Sequence, residues 1–324
     1  MPNFTIVFQA MGSHIQAWLT VQSESSADAA ILTQLPRWFE AWEARFSRFR
    51  EHSELCHLNR DSGQWVAVSA EMGEVIGLAL DAARQTDGLF NPLILPALEA
   101  AGYDHDFSGA DFQPDPLHQM LPDAITVADW HMIEWDSQRQ RLRLPPFARL
   151  DLGGIVKGWA AQRTADRLRA YGPCLVDAAG DMAAFGAPDD SAGWQVRLAP
   201  LPDPASGLET ARFTVILSDA GIATSGVDYR RWQRDGQRLH HLIDPRTGQP
   251  TVNDIVSASV IAPDTITAES WAKAVLIAGS GEQANRHGYA AMLVHQDQVV
   301  TWNDAFGRLP LVDPTGAASN PAEG

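Results

Sequence analysis

Lysine is nearly absent from this chain of 324 residues. Only two of its 24 basic residues are lysines, Lys157 and Lys273, and the others are arginines. Such a bias usually reflects genome composition, but it makes the position of each lysine informative. Cysteine is also scarce, since Cys56 and Cys174 are the only two. Two cysteines are too few for a disulfide framework or a cysteine metal site, which favours two reduced thiols in a cytoplasmic protein.

Positive charge and long apolar runs are also lacking. The chain has 40 acidic residues and a formal net charge of −16. A surface this acidic disfavours general nucleic-acid binding and attachment to anionic lipid. No run of about 18 apolar residues is present, so we expect no membrane-spanning helix. The first seven residues have no basic segment and no long apolar segment, which argues against a signal peptide and for a cytoplasmic location.

The apolar pattern predicts strands and helices in mixed order. Residues 4–11 and 14–21 alternate as two strands around a turn. A 3,4 spacing predicts a helix whose inner stripe is Leu32, Leu35, Phe39, Trp42, Phe46 and Phe49. Further helices are predicted at residues 69–85, 154–171 and 267–278, the last with Thr267 as its N-cap. Because strands and helices do not alternate regularly, the pattern favours an α+β fold over a doubly wound sheet. Residues 311–324 are rich in Pro, Gly, Ala and Ser and predict a flexible tail.

A strand-to-helix turn at residues 150–159 is the strongest candidate site. Asp151 closes the strand, Gly153 and Gly154 turn the chain, and a helix follows. Backbone N–H groups at such a turn, with the positive end of the helix, can bind an anion. Lys157 lies in the first helical turn, where a cation opposes the helix dipole, and a bound phosphate would explain that placement. A glycine pair between a strand and a helix can equally be structural.

A second segment combines small hydroxyl residues with histidines. Thr224 and Ser225 precede Gly226, and Arg230 and Arg231 follow. Small residues beside glycine can bring backbone donors close to a phosphate. His241 is a candidate base because the pKa of histidine lies near neutrality. Alternatively, residues 244–248 form a simple tight turn, and His240 and His241 lie on opposite faces of one strand.

Two shorter segments complete the set. Residues 86–92 follow a predicted helix and contain Leu89, Phe90 and Asn91; they read either as a binding loop or as a helix cap. Residues 179–181 lie between two predicted strands and read most simply as a hairpin turn.

Taken together and in this order, these segments resemble the ApbE family, the FAD:protein FMN transferases. The resemblance extends from residue 11 to about residue 280. The matching segments are Met11-Gly12-Ser13, residues 46–59, 87–92, 151–158, 179–181, 223–226 and 241–248, and the helix at 268–279.

The resemblance implies an α+β fold of the T-fold type, with mostly antiparallel sheets, packed helices and an FAD cleft between two lobes of a single domain over residues 1–310. It also implies transfer of FMN from FAD to a threonine hydroxyl of a target flavoprotein, with release of AMP. The residues expected to contact FAD are Met11, Phe49, Leu89, Phe90, Asn91, Asp151, Lys157, Thr224, Ser225, Ile243 and Lys273, and His241 is the expected catalytic base.

The family pattern also implies Mg²⁺, and here the sequence departs from it. The family has Asp and Thr as metal ligands in the last helix, where this chain has Glu269 and Lys273. Asn91, Leu93 and Phe49 also replace the usual Asp, Thr and Tyr. Gly154, through its carbonyl, and Glu269 are the candidate metal ligands, because a glutamate binds hard cations. An ammonium has only donors, so we expect Lys273 to replace Mg²⁺ beside the pyrophosphate. Alternatively, Lys273 forms a surface pair with Glu269.

Three functions remain open at this point. The first is the flavin transferase. The second is an FAD-binding homologue that has lost the Mg²⁺-dependent step. The third is a flavin oxidoreductase, which is least supported because nothing in the sequence supplies a nicotinamide site. AMP formation separates the first two.

Overall fold

The computed structural model describes residues 3–21, 30–107, 112, 125–188, 191–202, 209–234, 236–312 and 318–319. Its α-helices are α1 (Leu35–Phe46), α2 (Glu54–Arg60), α3 (Ala70–Gln85), α4 (Leu95–Ala100), α5 (Val156–Leu168), α6 (Thr265–Ala278), α7 (Glu282–Arg286) and α8 (Asp304–Gly307). Short 3₁₀ helices span Ala30–Gln34 and Trp130–Met132.

The strands are β1 (Asn3–Ala10), β2 (Ser13–Thr20), β3 (Trp65–Ala67), β4 (Glu134–Asp136), β5 (Arg141–Arg143), β6 (Cys174–Ala178), β7 (Asp181–Phe185), β8 (Trp194–Pro202), β9 (Glu209–Leu217), β10 (Ala220–Gly226), β11 (Arg231–Arg234), β12 (Gln237–His240), β13 (Ile243–Asp244), β14 (Gln249–Pro250), β15 (Ile255–Ala262), β16 (Ala290–His295), β17 (Val300–Trp302), β18 (Leu311–Val312) and β19 (Ala318–Ser319).

One eight-stranded sheet organises the molecule, in the order β1-β2-β6-β7-β10-β15-β16-β17. Its neighbouring strands pair antiparallel throughout. Smaller antiparallel sheets are formed by β3-β5-β4 and by β19-β18-β9-β8, and two hairpins by β11-β12 and β13-β14. Helices and antiparallel sheets in mixed order confirm the α+β prediction.

The aromatic stripe of the first long helix is buried, as its spacing predicts. Leu35, Phe39, Trp42 and Phe46 of α1 all lie in the main core, packed against α5 and the first strands. The helix ends at Phe46, because Ser47 adopts an extended conformation. Phe49, the last residue of the predicted stripe, therefore lies outside the helix and is 39% exposed.

Helices α5 and α6 approach the sheet and each other closely at glycine residues. A Cβ at Gly221 of β10 would lie 2.2 Å from the backbone nitrogen of Thr265. A Cβ at Gly158 of α5 would lie 2.8 Å from the Thr265 carbonyl oxygen. Any side chain at either position would force the backbones apart. These glycines therefore fix the start of α6 against both β10 and α5.

The start of α6 differs from the predicted one. Asp264, not Thr267, is the N-cap, and its carboxylate accepts a hydrogen bond of 2.7 Å from the Thr267 backbone nitrogen. Both residues are good caps, so the sequence alone does not decide between them.

Two further findings concern the predicted tail and the prediction that no helix spans a membrane. Leu311–Val312 pair with β9, while residues 313–317 and 320–324 of the predicted tail lie outside the described residues. Among the described residues, no helix is long and apolar enough to cross a membrane.

Candidate functional site

A large cavity of about 740 Å³ lies where β10 and β15 meet helices α5 and α6. Its volume falls within the range of about 300–1,000 Å³ typical of small-ligand sites. The structure brings almost all the predicted site residues to its walls. They are Met11, Phe49, Leu89, Phe90, Asn91, Asp151, Gly154, Lys157, Thr224, Ser225, His241, Ile243 and Lys273. Glu269 is the exception, because it lies behind the wall.

The strand-to-helix turn on one wall is held by Asp151. Its Oδ1 accepts a hydrogen bond of 2.8 Å from the Gly153 nitrogen, and its Oδ2 lies 3.0 Å from Arg48 Nε. Gly154 follows, where a Cβ would come within 3.1 Å of Lys273 Cε and 3.2 Å of Phe90 Cε2. Asp151 thus shapes the turn, and Gly154 leaves room for the Lys273 side chain beside it.

The loop at residues 86–92 is both a helix cap and part of the cavity wall. Thr86 Oγ1 accepts a hydrogen bond of 3.0 Å from the Phe90 nitrogen. The Asn91 side chain accepts a hydrogen bond from the Leu93 nitrogen at 2.9 Å and donates one to the Ala128 carbonyl at 3.1 Å. These bonds hold the loop so that Leu89 and Phe90 line the cavity. The polar atoms of Asn91 hold the loop itself, and contact with a ligand stays a prediction.

Both lysines of the chain meet two buried carboxylates behind this wall. We call Lys157, Asp181, Glu269 and Lys273 the lysine–carboxylate cluster. Lys157 Nζ pairs with Asp181 Oδ2 and lies 3.3 Å from Glu269 Oε1. Lys273 Nζ lies 3.0 Å from the same Glu269 oxygen. The Gly158 nitrogen donates a hydrogen bond of 2.7 Å to Glu269 Oε2.

The cluster explains the placement of Lys157. Two carboxylates compensate its charge in the first turn of α5, so no phosphate is needed to account for it there. Contact of Lys157 with a ligand remains a prediction. The alternative of a surface pair between Glu269 and Lys273 is wrong, because Glu269 is 0% exposed and the Lys273 side chain only 17%.

Burial and charge act in opposite directions on the cluster's acids. Burial, and next the charge of Glu269, raises the pKa of Asp181 to about 6, against the opposing effect of Lys157. Burial also opposes ionisation of Glu269, but the two lysines and the Gly158 hydrogen bond hold its pKa below the ordinary value. Burial works against the charge on Lys157, yet Asp181 and Glu269 raise its pKa. Lys157 and Glu269 are therefore charged at neutral pH.

The cluster does not fit a Mg²⁺ ion held by Gly154 and Glu269. Mg²⁺ needs free oxygen ligands in octahedral geometry. Here both Glu269 oxygens accept hydrogen bonds from N–H donors, and two ammonium groups stand beside them. Glu269 also does not line the cavity, and the described residues contain no group of three His, Cys, Asp or Glu side chains placed to hold a metal. The prediction of Glu269 as a metal ligand is therefore corrected.

His241 also lines the cavity, with an unused ring nitrogen. Its Nδ1 is buried and has no hydrogen-bond partner among the described residues. Burial first, and then the charges of Arg230, His240 and Lys273, lower its pKa well below the usual 6.5. The ring is consequently neutral at pH 7 and able to accept a proton. His240 differs, because its Nε2 bonds the Thr251 carbonyl at 3.1 Å and its Nδ1 accepts from the Leu242 nitrogen.

The turn after His241 is confirmed. The Thr247 and Gly248 nitrogens both donate to the Asp244 carbonyl, at 3.2 and 2.8 Å, between β13 and β14. This turn keeps Ile243 in the cavity wall.

On β10, Thr224 Oγ1 and Ser259 Oγ lie 2.8 Å apart, and Ser225 is buried. β10 is a central strand of the eight-stranded sheet, between β7 and β15, and the sequence did not predict it.

The cavity mouth is aromatic and partly basic. The Phe49 ring lies 5.9 Å from the Tyr103 ring, edge to face, and the Arg48 guanidinium lies 4.2 Å from the Phe49 centroid. Met11 has φ of 54°, and its nitrogen donates a hydrogen bond of 2.9 Å to Glu43.

Sequence reasoning missed several lining residues as site candidates. They are Tyr103, Arg197, Tyr229 and Arg230. Tyr103 stacks on Trp232 and packs edge to face against His241 at 6.3 Å. Arg230 follows the Thr224–Ser225 segment at a short distance in sequence, and that proximity was the one available signal for it.

Comparisons with known proteins agree with this arrangement. The sequence model of the ApbE family matches residues 11–293. The chain is 29% identical over 268 residues to the FAD:protein FMN transferase of Vibrio cholerae, covering 80% of this chain and 77% of that protein. It is 26% identical over 283 residues to the Salmonella typhimurium protein of the same name, covering 83% and 78%.

Solved structures show the same fold. The ApbE protein of Thermotoga maritima superposes with a TM-score of 0.79 at 22% identity, covering 94% of this chain and 98% of that one. The apo flavinyl transferase ApbE of Pseudomonas stutzeri also gives a TM-score of 0.79 at 22% identity, covering 95% and 96%. By fold and by the extent of the family match, this chain belongs to the ApbE family.

Proposed function

We propose that this protein is an FAD:protein FMN transferase. It takes FAD as substrate, transfers FMN to a threonine hydroxyl of a flavoprotein, and releases AMP. Family membership and the names of the relatives support the reaction class. The observation that carries the proposal is that His241 lines a cavity together with Arg230 and Lys273, and that its Nδ1 is buried with no hydrogen-bond partner among the described residues.

We assign the steps of the reaction to these residues. The threonine Oγ forms a bond to the phosphorus of the FMN half of FAD. The bond from that phosphorus to the bridging oxygen breaks, and the oxygen leaves with AMP. The hydroxyl proton passes to His241, which is within the cavity and neutral at pH 7. Arg230 and Lys273 supply positive charge where negative charge develops on the phosphates.

The direct test is incubation of the protein with FAD and an apo-flavoprotein whose FMN site carries a threonine. We expect AMP release together with covalent flavin on the acceptor, and neither product with an acceptor whose threonine is replaced by alanine. AMP without labelled acceptor would indicate hydrolysis. FAD binding without AMP would indicate the non-catalytic homologue, and either result would contradict the proposal.

We expect FAD to bind more tightly than FMN or riboflavin. Phe49 and the cationic side chains of Lys273 and Arg230 line the same cavity. Only a ligand with both a flavin ring and a diphosphate can use both. Calorimetry with the three flavins measures this, and equal affinity for FAD and riboflavin would show that the cationic wall does not contribute.

A further inference from the structure

Two cations at the cavity retain unused donors. Lys273 lines the cavity and spends one of its three N–H donors on Glu269. Arg230 also lines the cavity, and its guanidinium has no ion-pair or hydrogen-bond partner among the described residues. The charges of both act on His241, where they lower the pKa of the imidazole. Both cationic residues therefore line the same cavity as the candidate base.

The nearby carboxylates leave no place for a divalent cation. The Glu269 oxygens accept from Lys157, Lys273 and the Gly158 nitrogen, and Asp181 pairs with Lys157. A metal ion bound there would have to displace an ammonium from a buried pair and leave that ammonium uncompensated, which is costly. The buried acids thus hold lysines rather than a metal.

We propose that the cavity binds the diphosphate of FAD through the Lys273 ammonium and the Arg230 guanidinium, with no divalent cation. This inference rests on the proposed function, since it takes FAD as the ligand. Glu269 holds Lys273 at 3.0 Å, and Gly154 leaves the space in which its side chain reaches the cavity. A lysine binds phosphate as a point charge, and an arginine can bind two phosphate oxygens at once.

The experiment measures FAD and riboflavin affinity by calorimetry in EDTA and in millimolar MgCl₂. For the unaltered protein we expect the two FAD affinities to agree within about twofold, because the cations are part of the chain. For Lys273→Met and for Arg230→Met we expect FAD affinity to fall by roughly tenfold or more, since each removes a charge-assisted hydrogen bond. Riboflavin affinity should not change, because riboflavin has no phosphate.

Three further variants complete the experiment, the first two as controls. Lys273→Arg keeps the positive charge and should retain most FAD affinity in EDTA. Arg37→Met removes an exposed arginine outside the cavity and should change the affinity for neither FAD nor riboflavin. Lys273→Thr removes one of the two ammonium groups that donate to Glu269 Oε1 and adds a hydroxyl, so FAD binding should become tighter on adding Mg²⁺.

The outcomes separate this inference from the proposed function. A tenfold gain in FAD affinity with Mg²⁺ in the unaltered protein overturns the inference and leaves the transferase proposal intact. Unchanged FAD affinity in both Lys273→Met and Arg230→Met also overturns it. If the protein binds no FAD under any condition, the proposed function itself fails. If Lys273→Met does not fold, the inference is tested by the FAD affinity of Arg230→Met and by the FAD affinity of the unaltered protein in EDTA and in MgCl₂.

Discussion

Replacing His241 with alanine should lower FMN transfer by roughly a hundredfold or more, the range expected for loss of a general base. His241 Nδ1 is buried, has no partner among the described residues and lies at the cavity. FAD binding should survive, because Lys273, Arg230 and the aromatic mouth remain. The measurement is the rate of acceptor labelling at saturating FAD, with FAD affinity measured in parallel.

His240→Ala is the matched control for this variant. The His240 ring bonds the Thr251 carbonyl and the Leu242 nitrogen, and it does not line the cavity. We therefore expect little change in transfer rate from it. If His241→Ala transfers FMN at the rate of the unaltered protein, His241 has no part in proton transfer and only shapes the turn that follows it.

The pH dependence of transfer tests the same residue without mutation. The pKa of His241 lies below its ordinary 6.5 because of burial and the neighbouring cations. Protonation removes the base, so the rate should be constant near neutrality and fall only at a pH below 6.5. A fall in the transfer rate centred at a pH above 6.5 would contradict the assignment of His241 as the base.

Replacing Glu269 with glutamine should lower the free energy of unfolding by about 3–5 kcal/mol, the cost of breaking a buried ion pair from one side. The carboxylate is fully buried and compensates Lys157 and Lys273 together. Because the pKa of Glu269 is lowered in the folded protein, its contribution is present above the unfolded pKa of about 4.5 and is lost as pH falls below it. Urea denaturation at pH 7 measures the difference.

Glu282→Gln is the control for this loss of charge. Glu282 is exposed in the first turn of α7 and forms no ion pair with the described residues. Its replacement should change the free energy of unfolding by no more than about 0.5 kcal/mol. If Glu269→Gln were equally mild, the cluster would not be held together by the Glu269 charge, and Lys273 would lose its anchor.

Local pattern predicted the elements that bury a continuous apolar face. The stripe of α1 is an example, since Leu35, Phe39, Trp42 and Phe46 are all buried. β10 was not predicted, because four of its seven residues are Ala or Gly, which are depleted in strands. Pairing with β7 and β15 holds it in the sheet, and that pairing depends on residues far away in sequence.

In the candidate site, too, local segments were predicted and contacts between residues distant in sequence were not. Segments such as 86–92 and 151–158 carry their own turn residues, and the resemblance to the family placed them at the FAD cleft. The lysine–carboxylate cluster was not foreseen, because it joins Lys157 to Asp181 and to Glu269, which is 112 residues further along the chain. Spacing along one helix suggested only the pair of Glu269 with Lys273. Because Glu269 also contacts Lys157 of α5, the pair of Glu269 with Lys273 is buried and supports the cavity wall.

The most direct test of the central claim follows both products of one reaction mixture over time. The protein, FAD and the threonine-bearing acceptor are mixed, AMP is measured by chromatography, and covalent FMN on the acceptor by intact mass. We expect equal amounts of AMP and FMN-labelled acceptor, with labelling confined to the threonine. Continued FAD binding with no AMP and no labelled acceptor would contradict it.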